Sequence, residues 1–154
     1  MCEFRLGPDE IRQWAQFSGD RNPIHFDPAQ AQRIGAPGVV VHGMLVLLAV
    51  KNQLGQAVAA TADSSSGWWL FRSRLRHPVI VGDSIRTDTR RQGQGLAFTI
   101  TAAGHERKVI TGALVTHEAP GKDSSHWFRI DLPGAVISAR AAELGAAFPW
   151  VTES

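Results

Sequence analysis

The sequence predicts an α+β fold in which an antiparallel sheet wraps around one long central helix. Three observations lead there. A chain of 154 residues has the size of one domain. From Gly43 the run Met44-Leu45-Val46-Leu47-Leu48-Ala49-Val50 is apolar on every face, which predicts a helix buried nearly all round. The second half carries four segments rich in β-branched and aromatic residues, separated by short turn signals, which predicts antiparallel neighbours.

Pro8–Phe17 opens with Asp9 and Glu10 and places Ile11, Trp14 and Ala15 at helical spacing, so it reads as a short amphipathic helix ending before Ser18-Gly19. A polar loop, Ser18–Asp27, follows. Pro28 at a first-turn position, then Ala29, Ala31 and Ile34, predicts a second short helix stopped by Gly35 and Pro37. The central helix runs from Gly43 to about Val58. Thr61–Gly67, with three consecutive serines, reads as a surface loop. Trp68–Arg76, Ser84–Arg91, Leu96–Ala102 and Lys108–Thr116 are the predicted strands. Beyond Pro120-Gly121-Lys122, Ala135–Ala147 has helical spacing through Val136, Ala139, Ala142 and Leu144. Trp127, Phe128, Phe148 and Trp150 are costly to leave together in water, so residues 123–154 are expected to dock as an extension on the domain formed by residues 1–122, or on a second subunit. The expected place is the sheet or the subunit interface.

Composition excludes several classes. Apolar residues make up 44% and charged residues 19%, a globular rather than disordered balance. The longest uninterrupted apolar run is far short of the ~20 residues that cross a bilayer, and no membrane partner is expected. Met1-Cys2-Glu3-Phe4-Arg5 has no apolar core behind its charge and does not read as a secretory signal, so the expected location is cytoplasmic. The single cysteine, Cys2, permits no intrachain disulfide and no thiolate zinc site. The net charge is +2, but basic residues alternate with acidic ones and no basic-aromatic stripe emerges, so nucleic acid is not the expected partner. An anionic small molecule fits equally well.

The candidate chemistry lies in Ser18-Gly19-Asp20-Arg21-Asn22-Pro23-Ile24-His25-Phe26-Asp27. Fully extended, Asp20 and His25 would stand about 17 Å apart. Pro23 restricts its own φ and biases Asn22 away from the helical region, and Gly19 frees the entry, so a bend can bring the two side chains together. A carboxylate and an imidazole around one water form an acid-base device. On chemistry alone the segment reads equally as a turn capped by Asp20 beside a packed histidine. The second element, Val39-Val40-Val41-His42-Gly43-Met44, leads into the buried helix, whose first N–H groups lack internal partners and carry partial positive charge. Gly43 leaves room for a thioester carbonyl to approach them, although a glycine before a helix and a packed His42 are also ordinary features. No HxxxH or HxH spacing supports a metal site, and no metal or cofactor is expected.

Two strings carry a resemblance. Phe17–Asp27 followed by Val41-His42-Gly43-Met44-Leu45 resembles the hydratase motif of the MaoC-like, (R)-specific enoyl-CoA hydratases. Pro78-Val79-Ile80-Val81-Gly82-Asp83 looks like that family's turn between two strands. The resemblance covers roughly Leu6 to Glu118. It implies a hot-dog fold, a homodimer with the acyl-thioester tunnel near the subunit interface, and reversible hydration of trans-2-enoyl thioesters of CoA or acyl carrier protein to (R)-3-hydroxyacyl thioesters. It places the catalytic pair on Asp20 and His25 and the oxyanion N–H on Gly43, with Asn22 and His42 in support. The family often carries a small hydroxyl residue two turns into the central helix, where this chain has Val50 and Lys51. A hot-dog acyl-thioesterase and a non-catalytic acyl-thioester binding module are the alternatives.

Overall fold

The computed structural model describes residues 2–59, 68–93, 95–103, 107–117 and 133–149. The expected Thr61–Gly67 loop, Trp127, Phe128 and Trp150 lie outside them. The elements in chain order are β1 (Cys2–Arg5), α1 (Pro8–Ser18), a 3-10 turn (Pro23–His25), α2 (Pro28–Arg33), α3 (Gly43–Ala59), β2 (Trp68–Leu75), β3 (Ser84–Gln92), β4 (Gly95–Ala103), β5 (Arg107–His117) and α4 (Gly134–Ala147). The four predicted strands and all four helices are present within one or two residues of their predicted ends. β1 was not expected: four residues with one apolar side chain, Phe4, between Glu3 and Arg5 give too short a pattern to read.

One antiparallel sheet has the order β1-β3-β4-β5-β2, which leaves β1 and β2 as its edges. Its inner face presents Ile85, Phe98, Ile100, Ala102 and Ile110 to Leu45, Val46, Val50 and Leu54 of α3, and all of these side chains are buried in one core. This is the hot-dog arrangement. The burial of α3 is less complete than its composition suggests. Met44 is 62% exposed, because in the first turn one side of the helix stands clear of the sheet. After Val50 the helix becomes amphipathic, with Leu54 inside and Lys51 and Gly55 outside.

Gly112 of β5 lies opposite Phe98 of β4. A Cβ at position 112 would collide with the Arg72 carbonyl and with the Phe98 ring. The missing side chain is what allows Phe98 to lie across the sheet and stack on Phe71 of β2, centroids 5.3 Å apart and planes 16° from parallel. The β2–β3 connection turns through Gly82, whose φ of 87° suits glycine, and Asp83 secures it by accepting the Ile80 N–H at 3.0 Å.

The described part of the C-terminal segment docks on α1 rather than on the sheet or over a cleft. Phe148 is fully buried in the core and tilts against Trp14 at 6.1 Å. Arg140 donates to the Phe17 carbonyl at 2.6 Å and lies over its ring. Of the expected stripe only its last member makes the contact: Val136 is 43% exposed, whereas Leu144, and Ala147 beyond the stripe, two to three turns later, pack on the core. Helical periodicity identifies an apolar stripe but not which of its turns meets a neighbour.

Candidate active site

The loop after α1 is built by local side-chain capping. α1 ends at Gly19, whose φ of 78° is left-handed and whose N–H reaches back to the Ala15 carbonyl. The Asp20 N–H donates to Ser18 Oγ, and Asp20 Oδ1 accepts the Asn22 N–H at 3.1 Å. Asn22 Oδ1 accepts the Ile24 N–H, capping the 3-10 turn that Pro23 begins. Asp27 then caps α2 by accepting the Ala29 N–H at 2.8 Å. Three consecutive caps curl ten residues tightly enough to bring Asp20 and His25 together.

The curl is tied to the segment beside the sheet through the backbone of one residue. Val40 donates its N–H to the Ile24 carbonyl at 3.1 Å and accepts the His25 Nδ1–H on its own carbonyl at 2.7 Å. The flanking residues reach the β2–β3 connection, Val41 N–H to the Val79 carbonyl and Val81 N–H to the Val39 carbonyl. Since a carbonyl can only accept, His25 carries its proton on Nδ1 and presents an unprotonated Nε2 when neutral. That Nε2 stands 3.8 Å from Asp20 Oδ2, with the histidine buried and the carboxylate half exposed. Asp20 therefore has two tasks, one oxygen capping the turn and the other facing the imidazole.

His42 braces the pair from behind. Its ring stacks on His25, centroids 3.7 Å apart and 24° from parallel, and its Nε2–H donates to the Asp20 carbonyl at 3.1 Å. Its Nδ1 is buried with no hydrogen-bond partner among the described residues. Burial lowers the His42 pKa below its ordinary 6.5, and the neighbouring His25 acts in the same direction, outweighing the Asp20 carbonyl and carboxylate. Asp20, His25 and His42 bring ligand-type atoms within 4.8 Å of one another. Near-parallel stacked rings direct their in-plane lone pairs side by side rather than at one point, and His42 Nε2 is already engaged, so the trio does not form a converging metal-ligand set.

A cleft of about 310 Å³ opens beside His25, lined also by Val40, Gly43, Val46, Leu75 and Ile110. Gly43 begins α3, and its N–H has no acceptor among the described residues, since the first bonds to the His42 carbonyl come from Leu45 and Val46. Gly43 has a second reason to be glycine: a Cβ would run into the Leu75 side chain of β2. Of the residues singled out in the sequence, His25 and Gly43 line this cleft; Asp20 and His42 stand beside His25, and Asn22 caps the motif loop, without being among the lining. The sequence did not single out Val40, whose contribution is entirely backbone, or Leu75, whose part depends on how β2 passes α3. Val50 is buried in the core and Lys51 is exposed, and neither pairs with Asp20 or His25 among the described residues.

Residues 2–113 match the MaoC like domain. The chain is 34% identical over 104 residues to the peroxisomal multifunctional enzyme type 2 of Drosophila melanogaster, a match covering 65% of this chain and 16% of that protein. It is 33% identical over 84 residues to the (R)-specific enoyl-CoA hydratase of Aeromonas caviae, covering 54% of this chain and 60% of that one. These matches span less than two thirds of either relative. Among solved structures, the (R)-hydratase from A. caviae superposes with a TM-score of 0.55 at 27% identity, over 77% of this chain and 92% of that chain. The full-length Drosophila enzyme gives 0.59 at 24% identity, over 75% of this chain and 21% of that one, a likeness of fold alone. With most of its length matched and the motif loop and sheet in place, the chain belongs to the MaoC-like domain family.

Proposed function

We propose that this chain hydrates trans-2-enoyl thioesters reversibly to 3-hydroxyacyl thioesters. The observation that carries the reading is the Asp20 carboxylate 3.8 Å from the unprotonated nitrogen of a buried His25, beside a cleft that Gly43 also lines, its N–H without an acceptor among the described residues. The relatives named as hydratases support the same reaction, and the (R) product is part of the proposal on their account.

In the forward direction a water held between Asp20 Oδ2 and His25 Nε2 attacks C3 of the enoyl group. Asp20 takes the water proton as the C–O bond forms. The C2=C3 pair moves toward the thioester carbonyl, and the Gly43 N–H, at the positive end of α3, stabilises the enolate oxygen. The same proton, handed from Asp20 to the unprotonated His25 Nε2 and from there to C2, completes the addition, so the elements of one water are added and nothing is oxidised or reduced. The roles of Asp20 and His25 can be exchanged without changing this balance. The substrate is a CoA or acyl-carrier-protein thioester.

We also infer that two copies join through β2. Among the described residues it is a sheet edge with one side unpaired, and Trp69 and Leu75 on it are 37% and 54% exposed. Met44, 62% exposed, adds to the apolar surface such a contact would cover. Light scattering at micromolar concentration should give the mass of two chains, and a monomer would contradict the inference.

Asp20→Asn and His25→Ala should each lower hydration of crotonyl-CoA by at least about 10²-fold while leaving circular dichroism unchanged. The readout is loss of enoyl absorbance, and near-normal turnover in either folded variant removes the assignment. His42 adds a pH dependence. Below its ordinary 6.5 the unfolded chain takes up a proton that folded His42 resists, so the unfolded state binds more protons and stability falls as the pH falls through that window. The slope ends once the pH is below the folded-state value. Urea midpoints measured from about pH 8 to about pH 5 should fall more steeply for the natural chain than for His42→Gln, which cannot titrate. Equal slopes would show that His42 is not held neutral.

A further inference from the structure

A second cleft, of about 420 Å³, lies farther along the seam between α3 and β2, lined by Leu54, Val58, Trp69, Phe71, Leu114 and Lys51. The two clefts have no lining residue in common, but the same two elements, α3 and β2, contribute to both. Val46 and Leu75 line the catalytic one, while Lys51 and Phe71, from the same helix and strand, line the other. Phe71 and Leu75 are four residues apart on β2 and so face the same side of the strand. Lys51 lies eight residues beyond Gly43, roughly 12 Å along the helix axis. An acyl chain whose carbonyl rests at Gly43 and whose length follows the seam therefore ends at Lys51.

Lys51 is the only charged residue among the described lining, and no carboxylate pairs with it among the described residues. Its Nζ stands over the Phe71 ring, 5.5 Å from the centroid. Phe71 is in turn held by its stack on Phe98, which occupies the space over Gly112. The exposed ammonium thus stands at the edge of an apolar cleft, over a ring that cannot easily move. A cation–π contact partly compensates such a cation but leaves its hydrogen-bond donors to water. An alkyl chain end pushed against the ammonium would strip water from it without replacement, whereas a carboxylate would make a charge-assisted pair.

We propose that Lys51 is a specificity-determining residue that receives a carboxylate at the far end of the acyl chain, so that the preferred substrates are mono-thioesters of unsaturated dicarboxylic acids. The proposal rests on the hydratase reading and concerns the same site. Two probes of equal length test it, trans-2-decenoyl-CoA and the mono-CoA thioester of trans-2-decenedioic acid. The natural chain should show kcat/KM at least about tenfold higher for the diacid, through KM. Lys51→Met should abolish the ratio, Lys51→Arg keep it and Lys51→Glu invert it. Because the ratio is taken within each variant, a loss of folded protein does not imitate the result. Calorimetric binding of the saturated analogues, decanoyl-CoA and decanedioyl mono-CoA, supplies a readout that needs no turnover. Equal use of both probes together with equal binding overturns the subsite while leaving hydration intact. A binding preference without hydration of any enoyl thioester, crotonyl-CoA included, keeps the subsite and overturns the reaction.

Discussion

The site depends on the hydrogen bond from His25 Nδ1 to the Val40 carbonyl. At 2.7 Å and buried, it fixes the histidine tautomer, turns Nε2 toward Asp20 and ties the motif loop to the strand-like segment beside the sheet. A buried hydrogen bond of this kind contributes only about 0.5–1.5 kcal/mol to stability. Its larger effect is geometric. Without it the imidazole could present either nitrogen to the carboxylate, and the acid-base pair would have no defined polarity. The Val40 N–H secures the same loop through Ile24, so both backbone polar groups of this residue are committed to the loop.

Val40 is positioned by elements far away in sequence. Val39 and Val41 bond to Val81 and Val79, just ahead of β3, and the next residues turn into α3, whose buried face is the centre of the core. The helix serves two purposes here. Its apolar side holds the sheet, and its first N–H groups point into the cleft where charge would develop on a thioester oxygen. His42 sits between these elements, stacked on the His25 ring and bonded to the Asp20 carbonyl. Burial that keeps His42 uncharged also avoids two adjacent imidazolium rings.

The parts of this arrangement legible in the sequence were those written in side chains. The apolar run after Gly43 located the central helix, turn residues separated the strands, and Gly19, Pro23 and Asn22 signalled a bend able to unite Asp20 with His25. What remained unreadable depends on tertiary approach or on backbone groups. Val40 has no side-chain chemistry to mark it, and the closeness of Leu75 to Gly43 requires knowing how β2 crosses the start of α3. β1 is too short to produce a pattern. The C-terminal helix was recognisable by period, but its contact is made by Leu144, Ala147 and Phe148 instead of Val136. Lys51 stood out in sequence only as a departure from a family habit, and its meaning emerges from the Phe71 ring beneath it.

The most direct test of the account is the tautomer of His25. Long-range nitrogen–proton correlation spectra of the ¹⁵N-histidine-labelled full chain, recorded above the titration range of histidine, distinguish a proton on Nδ1 from one on Nε2. The account predicts Nδ1–H at His25, bonded to Val40, and Nε2–H at His42, bonded to the Asp20 carbonyl. A proton on Nε2 of His25 would leave no lone pair facing Asp20 and would contradict the proposed polarity of the pair.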